Sequence, residues 1–274
     1  MPRLLLVHAH PDDESLFSAL LTLRAKQQGW WVTLATMTDG RFGFDPSGRE
    51  SIDTAHDPDA TAQRRHDELV AAAAVLGIDE LVEAAYHDSG MAGWPTNQVS
   101  EALAQRPLAE LVEVVGRLID ASQSDLVVTY GPDGFYGHPD HLACYRAVDG
   151  AMALRPSITA LAPVVASGSL DMLSAHLRAT GARLPDWLGQ GLVPGVARSE
   201  IAGSVSNVAF SRDKQTALGQ HRSQHDNDLF AQLDDDAFFS VLGTEYYQVL
   251  YQGSDESLAL ALSLLDNTSN LIPS

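Results

Sequence analysis

The chain has 274 residues, 45% hydrophobic and 19% charged, which suits a folded domain with a sizeable core and excludes a disordered or low-complexity polypeptide. Thirty-six acidic residues against seventeen basic ones give a formal charge of −19 at pH 7, so neither a nucleic-acid nor a membrane partner is expected. The single cysteine, Cys144, excludes an internal disulfide and any multi-cysteine zinc site, so a bound metal would need histidine and carboxylate ligands.

Taken in chain order, Arg3 to His8 reads as a buried strand. Its apolar run, Leu4 to Val7, is too short for a signal-peptide core or a bilayer span, and a cytoplasmic location is expected. Glu14 to Gly29 has helical spacing through Leu16, Leu20, Leu21 and Leu23, and Trp30 to Met37 resumes strand character, completing one βαβ unit. Thr38 to Pro58, rich in Asp, Gly, Ser and Pro, is expected to be a long loop. Ala60 to Leu76 returns to helix, a further strand precedes His87, Leu108 to Ala121 reads as an amphipathic helix, and Asp125 to Tyr130 as a short buried strand. Alternation of this kind predicts an α/β fold, a mostly parallel sheet flanked by crossover helices. After about residue 153 the pattern loosens around Pro156, Pro163, Pro185 and Pro194, which predicts a smaller variable C-terminal lobe. Within that part Ser204 to Phe210 alternates like a strand, Arg212 to Ser223 resembles a helix and Glu245 to Tyr251 reads as an edge or late strand. Residues 1–152 are expected to form the catalytic core, and residues 153–274 a cap and C-terminal segment packed on it.

Two clusters carry chemistry, each directly after an expected strand. The first is His8-Ala9-His10-Pro11-Asp12-Asp13-Glu14, the second Tyr136-Gly137-His138-Pro139-Asp140-His141. Parallel strands bring their carboxyl ends to one rim of a sheet, so the two loops can share a site. His10, Asp13 and His141 offer two imidazoles and a carboxylate, a set that holds zinc, or iron(II), with a position open to water. Asp12 adjoins the ligand set but points elsewhere, which suits a general base, and Asp140 is expected to orient a site imidazole. His138 and Tyr136 remain as donors to an oxyanion. Cys144 is expected to be a small core residue.

At these residues the sequence resembles the PIG-L/LmbE-like family of zinc-dependent N-acetylglucosaminyl deacetylases and related amidases. The resemblance implies a Rossmann-like fold, the metal ligands His10, Asp13 and His141, the base Asp12, and His138 with Tyr136 as transition-state stabilisers. It extends to Lys214, Ala217, His221, Ser223 and Gln224, at the spacing of a K-x-x-A-x-x-x-H-x-S-Q pattern. Val7 to Ser15 and Asp88-Ser89-Gly90-Met91 look most like the family's mycothiol branch, which implies deacetylation of N-acetylglucosaminyl-inositol and aligns Arg65 and Asp88 with sugar or inositol contacts. A mycothiol S-conjugate amidase, or a deacetylase of an antibiotic or glycan N-acetylhexosamine, would share this inner set of residues. A phosphoesterase is disfavoured because the two motif loops hold no Lys or Arg. A non-catalytic carbohydrate-binding module is disfavoured because Asp12 and the ligand set are all present.

Overall fold

The computed structural model describes residues 1–169, 195–224 and 233–266, together with 171, 174, 175, 178 and 230. Much of the expected variable lobe, including Pro185 and Pro194, therefore lies outside the described residues.

Strand β1 (Arg3–His8) shows why the fold is layered. Successive side chains of a strand point to opposite faces, and here both faces are covered. Leu5 and Val7 pack with helices α4 (Leu108–Ser122) and α6 (Pro139–Met152) through Leu111, Val115, Ala147 and Met152. Leu4 and Leu6 pack on the other face against Leu20 and Leu21 of α2 (Ala19–Gln27), Leu69 of α3 (Pro58–Leu76) and Phe210 of α7 (Val208–Leu218). Burying a side chain of this size contributes roughly 1.5–3 kcal/mol. The result is a three-layer α/β/α sandwich.

Among the described residues the sheet has eight strands: β1, β2 (Trp31–Thr38), β3 (Glu80–Tyr86), β4 (Leu126–Val128), β5 (Thr159–Ala166), β6 (Gly195–Val196), β7 (Gly203–Ser206) and β8 (Thr244–Tyr251). Its order is β3-β2-β1-β4-β5-β8-β7, with β6 beside β5. Strands β1 to β5 are parallel, while β8 runs antiparallel to both β5 and β7. The chain leaves β1 toward β2 and β3, then returns to place β4 on the other flank of β1. The carboxyl ends of β1 and β4 thus bound a topological switch point, where open α/β sheets form their ligand crevice.

Most expected elements stand within a few residues of their places, with three corrections. The single helix expected over 14–29 is two, α1 (Asp13–Phe17) and α2, broken at Ser18, whose φ of −142° is non-helical. The amino end of α2 is capped instead by Glu245 of β8, which accepts the Leu20 and Leu21 N–H groups at 3.0 and 3.1 Å. Lys214 donates to the same carboxylate at 2.8 Å. The strand expected over 204–210 ends at Ser206, because Asn207 accepts the Ala209 and Phe210 N–H groups and starts α7 there. That start also moves the helix expected over 212–223 to 208–218. Of the two readings of Glu245 to Tyr251, edge or late strand, the second holds: β8 is the last strand among the described residues and lies inside the sheet. A short turn, α5 (Gly134–Gly137), and helices α8 (Asp235–Leu242) and α9 (Asp255–Ser263) complete the elements used below. Cys144 is buried in the core as expected. No helix among the described residues is long and apolar enough to cross a membrane.

Candidate active site

Both motif loops open at the switch point, and the side chains expected to act together do meet there. His10 and Asp13 follow β1; His138, Asp140 and His141 lie at the amino end of α6, which begins where His138 Nδ1 accepts the Asp140 N–H at 3.2 Å and Pro139 occupies the first turn. His10 Nδ1 and His141 Nε2 stand 3.3 Å apart. Asp13 Oδ2 is 3.5 Å from His10 Nδ1, and Asp13 Oδ1 is 3.6 Å from His141 Nε2. The ring nitrogens of His10, His138 and His141 lie within 4.8 Å of one another, as do donor atoms of His10, Asp88, His138 and Asp140. All these residues are buried.

The far side of each imidazole is also engaged. His10 Nε2 faces Asp140 Oδ2 at 3.2 Å, and Asp140 in turn accepts from the Ser89 N–H at 2.8 Å and from the Ser89 hydroxyl. His141 Nδ1 donates to the Gly134 carbonyl at 3.1 Å, which leaves Nε2 directed at the cluster. Gly134 has φ 61°, and a Cβ there would come within 2.9 Å of Leu142, so glycine lets this carbonyl approach. Asp13 is fastened by the His10 N–H at 2.7 Å and by the Tyr130 hydroxyl at 2.5 Å. The same hydroxyl accepts the Ala9 N–H at 2.7 Å, and its ring stacks on His141 at 4.0 Å.

Electrostatics within the cluster follow from this crowding. Burial depresses both His138 and His141, helped by their imidazole neighbours, to about 3, so both rings are neutral. Burial would also depress His10, but Asp88, with hydrogen bonds to Asp13 and Asp140, holds it well above its ordinary value. Burial opposes ionisation of Asp13 too, yet His141 and His10 keep its carboxyl well below the usual range. Asp88, 3.6 Å from His10 Nε2, is likewise held low, chiefly by His10 against its burial. Carboxylates thus surround a pocket of imidazoles, an arrangement that favours one additional positive charge.

Asp12 lies beside this cluster and is the most open of the set, its side chain 20% exposed. Burial pushes its pKa up to about 6, against the Arg65 guanidinium and with Asp13 adding to the rise. Its backbone is unusual: φ is 131° and ψ −23°, a region costing a non-glycine residue on the order of 1–3 kcal/mol. Arg65 Nη2 donates to the Pro11 carbonyl at 2.6 Å and lies 3.2 Å from Asp12 Oδ1, while Nη1 donates to the Gly40 carbonyl at 3.0 Å. A Cβ on Gly40 or Gly43 would come within 2.8 Å of this guanidinium. Arg65 and Asp88, aligned by resemblance with substrate contacts, are each only 4% exposed, with these bonds made inside the protein. Tyr136, half-buried, has its ring edge-on to His138 and His141, and burial raises its pKa so that the hydroxyl stays protonated.

The sequence gives Tyr130 no role, and it singles out Ser89, Glu14 and His221 within motifs without their partners, the Ser89–Asp140 and Glu14–His221 contacts. Tyr130 lies two residues past the end of β4, and a buried phenol that needs a partner was the signal available for it. The pairings of Ser89 with Asp140 and of Glu14 with His221 had no local signal, because each joins residues far apart in the chain.

Against known proteins, the family described as PIG-L, GlcNAc-PI de-N-acetylase, matches residues 5–152. The 1D-myo-inositol 2-acetamido-2-deoxy-alpha-D-glucopyranoside deacetylase of Streptomyces griseus is 34% identical over 277 residues, covering 90% of this chain and 83% of the relative. Among solved structures, the 4-carboxy-2-hydroxymuconate hydratase of Pseudomonas putida KT2440 superposes with TM-score 0.59 at 12% identity, covering 93% of this chain and 98% of its own. The N,N'-diacetylchitobiose deacetylase of Pyrococcus horikoshii does so with TM-score 0.57 at 17% identity, covering 90% and 83%. At such identities the two structures speak for the fold alone.

Proposed function

This chain belongs to the PIG-L family, and from that premise we propose that it is a metal-dependent N-deacetylase acting on the acetamide of a small N-acetyl amino sugar, with N-acetylglucosaminyl-inositol, the compound named for the Streptomyces griseus relative, as substrate. The observation that carries the reading is the triangle of His10 Nδ1, His141 Nε2 and the Asp13 carboxylate. Tetrahedral zinc with bonds of about 2.0–2.2 Å separates neighbouring donors by roughly 3.3–3.6 Å. The two imidazole nitrogens stand at that spacing, 3.3 Å apart, and the Asp13 carboxylate closes on them with a different oxygen each, Oδ2 at 3.5 Å from His10 Nδ1 and Oδ1 at 3.6 Å from His141 Nε2. His138 is left out of this set, because its Nδ1 accepts a backbone N–H and the neutral ring then carries its proton on Nε2. Two imidazoles and a carboxylate suit zinc, the ion we assign, and iron(II) accepts the same donors.

Bound there, the ion would polarise the acetamide carbonyl and make an adjacent water more acidic. Asp12, with a pKa of about 6, suits a base that takes a proton from the attacking water and returns it to the departing amine as the C–N bond breaks. Acetate and a free amine result. The His138 Nε2–H and the Tyr136 hydroxyl are the donors for the carbonyl oxygen as it gains charge. Asp140 orients His10. Asp88 is kept as the substrate-side carboxylate, and Arg65, with both Nη atoms spent near Asp12, has a share in setting that carboxylate's position. Residues 1–152 form the catalytic core in this reading, and residues 153–274 pack on it.

The test is free-amine release by metal-reconstituted protein from N-acetylglucosamine, N-acetylglucosaminyl-inositol and a bimane-type thiol conjugate. The inositol glycoside is expected to react fastest. Turnover of the thiol conjugate alone would move the assignment to an amidase, and no amine from any of the three would contradict the hydrolase reading.

A further inference from the structure

The C-terminal residues at 214, 217, 221, 223 and 224 lie far from the metal cluster in sequence, yet one of them is linked through Glu14 to the backbone of Asp12. His221, 1% exposed in the turn after α7, has its Nε2 2.7 Å from Glu14 Oε1. Glu14 is fully buried, and its other oxygen accepts the Asp12 N–H at 3.0 Å. That N–H belongs to the residue with φ 131°, and its peptide would have to turn for the strain to relax. The Asp12 carbonyl is held as well, by the Ser15 and Leu16 N–H groups at 3.0 Å each.

We propose that His221 is a positioning residue, which acts through Glu14 to hold the strained backbone that aims the Asp12 carboxylate. This rests on the reading of Asp12 as the general base. A buried carboxylate keeps its direction only while both oxygens have donors. Glu14 Oε1 has two, His221 and the Ser15 hydroxyl, and Oε2 has Asp12. Removing His221 leaves Oε1 with the Ser15 hydroxyl alone, a donor that rotates and sits on the next residue of the same short helix, so the hold on Glu14 from outside its own loop is lost and its grip on the Asp12 N–H loosens. The His221 turn is itself fixed by Ser223, whose N–H and hydroxyl donate to Glu68 at 3.0 and 2.7 Å. Glu68 sits on α3, one turn from Arg65, so the two holds on the Asp12 loop share one support. This gives the C-terminal pattern a task that neither the metal set nor the oxyanion donors explain.

The experiment compares metal-loaded His221→Ala, His221→Met, His221→Gln, Ser223→Ala and Asp12→Asn by kcat, KM and metal content, with a crystal structure of the His221→Met protein. Methionine refills the buried volume without a donor, and the glutamine amide can restore an N–H near the position of Nε2. His221→Ala and His221→Met are expected to lower kcat by about tenfold or more, the scale set by a small misplacement of a reacting group, with KM and metal content little changed. His221→Gln should recover most of the loss. Ser223→Ala, which loosens the turn that carries His221 but leaves the imidazole in place, should lower kcat by clearly less than His221→Met does. In the crystal, Asp12 should leave the positive-φ region. Unchanged kcat in His221→Met, beside an inactive Asp12→Asn, would overturn the positioning role and leave the base standing. An equal fall in kcat for Ser223→Ala would reduce His221 to general bracing and also overturn it. Normal turnover by Asp12→Asn would instead remove the base reading on which the inference rests.

Discussion

Tyr130→Phe removes one hydroxyl and nothing else, because the ring that stacks on His141 at 4.0 Å is retained. That hydroxyl donates to Asp13 Oδ2 at 2.5 Å and accepts the Ala9 N–H at 2.7 Å. A hydrogen bond to a charged partner contributes about 1.5–3 kcal/mol, and a buried N–H left without its acceptor costs about 1–3 kcal/mol. The two losses share one site and do not add fully, so metal-free Tyr130→Phe is expected to be about 2–4 kcal/mol less stable. Loss of a partner that orients a ligand typically lowers metal affinity about 10- to 100-fold. Chelator competition measures the affinity and denaturant unfolding of the apo-protein the stability. At saturating metal, kcat should stay within a few-fold of the parent, because the hydroxyl touches the ligand and not the reacting atoms. An unchanged affinity and an unchanged unfolding midpoint would refute the claim that Tyr130 fixes Asp13.

Asp12→Asn should lower kcat by about a hundredfold or more while metal content after dialysis stays at the parent level, since base catalysis supplies about 10²–10⁴ and Asp12 is outside the donor triangle. In the metal-free protein Asp12 should titrate near 6, because burial raises its pKa to about 6, and a bound dication would move the acid limb of kcat/KM below that; an apo-protein titration at the ordinary carboxylate value would argue against the buried setting of the base. Arg65→Gln should reduce kcat more than it raises KM if the guanidinium's main task is to hold Pro11 and Asp12; a KM effect alone would assign it to the substrate.

Local pattern made the ends of β1 and β4 readable, since an uninterrupted apolar run followed by a polar, proline-bearing loop marks a buried parallel strand with its functional end. The same rule brought the seven site residues of the two motif loops to one region, Arg65 and Asp88 being added by resemblance alone, and in the structure the two loops meet across a sequence separation of 131 residues between His10 and His141. Legibility failed where the deciding partner is remote. The break at Ser18 depends on Glu245 reaching the α2 amino end from 225 residues away. Likewise Glu14 stands in the first motif with no task assigned to it, because its partner His221 lies 207 residues on. The error over 204–210 has a different cause: Val205, Ala209 and Phe210 mimic strand alternation, and the side chain of Asn207 ends the strand by capping the next helix. The placing of β8 inside the sheet was hidden because strand order is set by pairing, which periodicity does not record.

The most direct measurement is anomalous diffraction from crystals of the protein loaded with one equivalent of zinc. The account expects a single peak at about 2.0–2.2 Å from His10 Nδ1, His141 Nε2 and an Asp13 oxygen, with His138 unbonded. A peak bonded to His138 and not to Asp13, or an ion held by Asp88 and Asp140 instead, would contradict it.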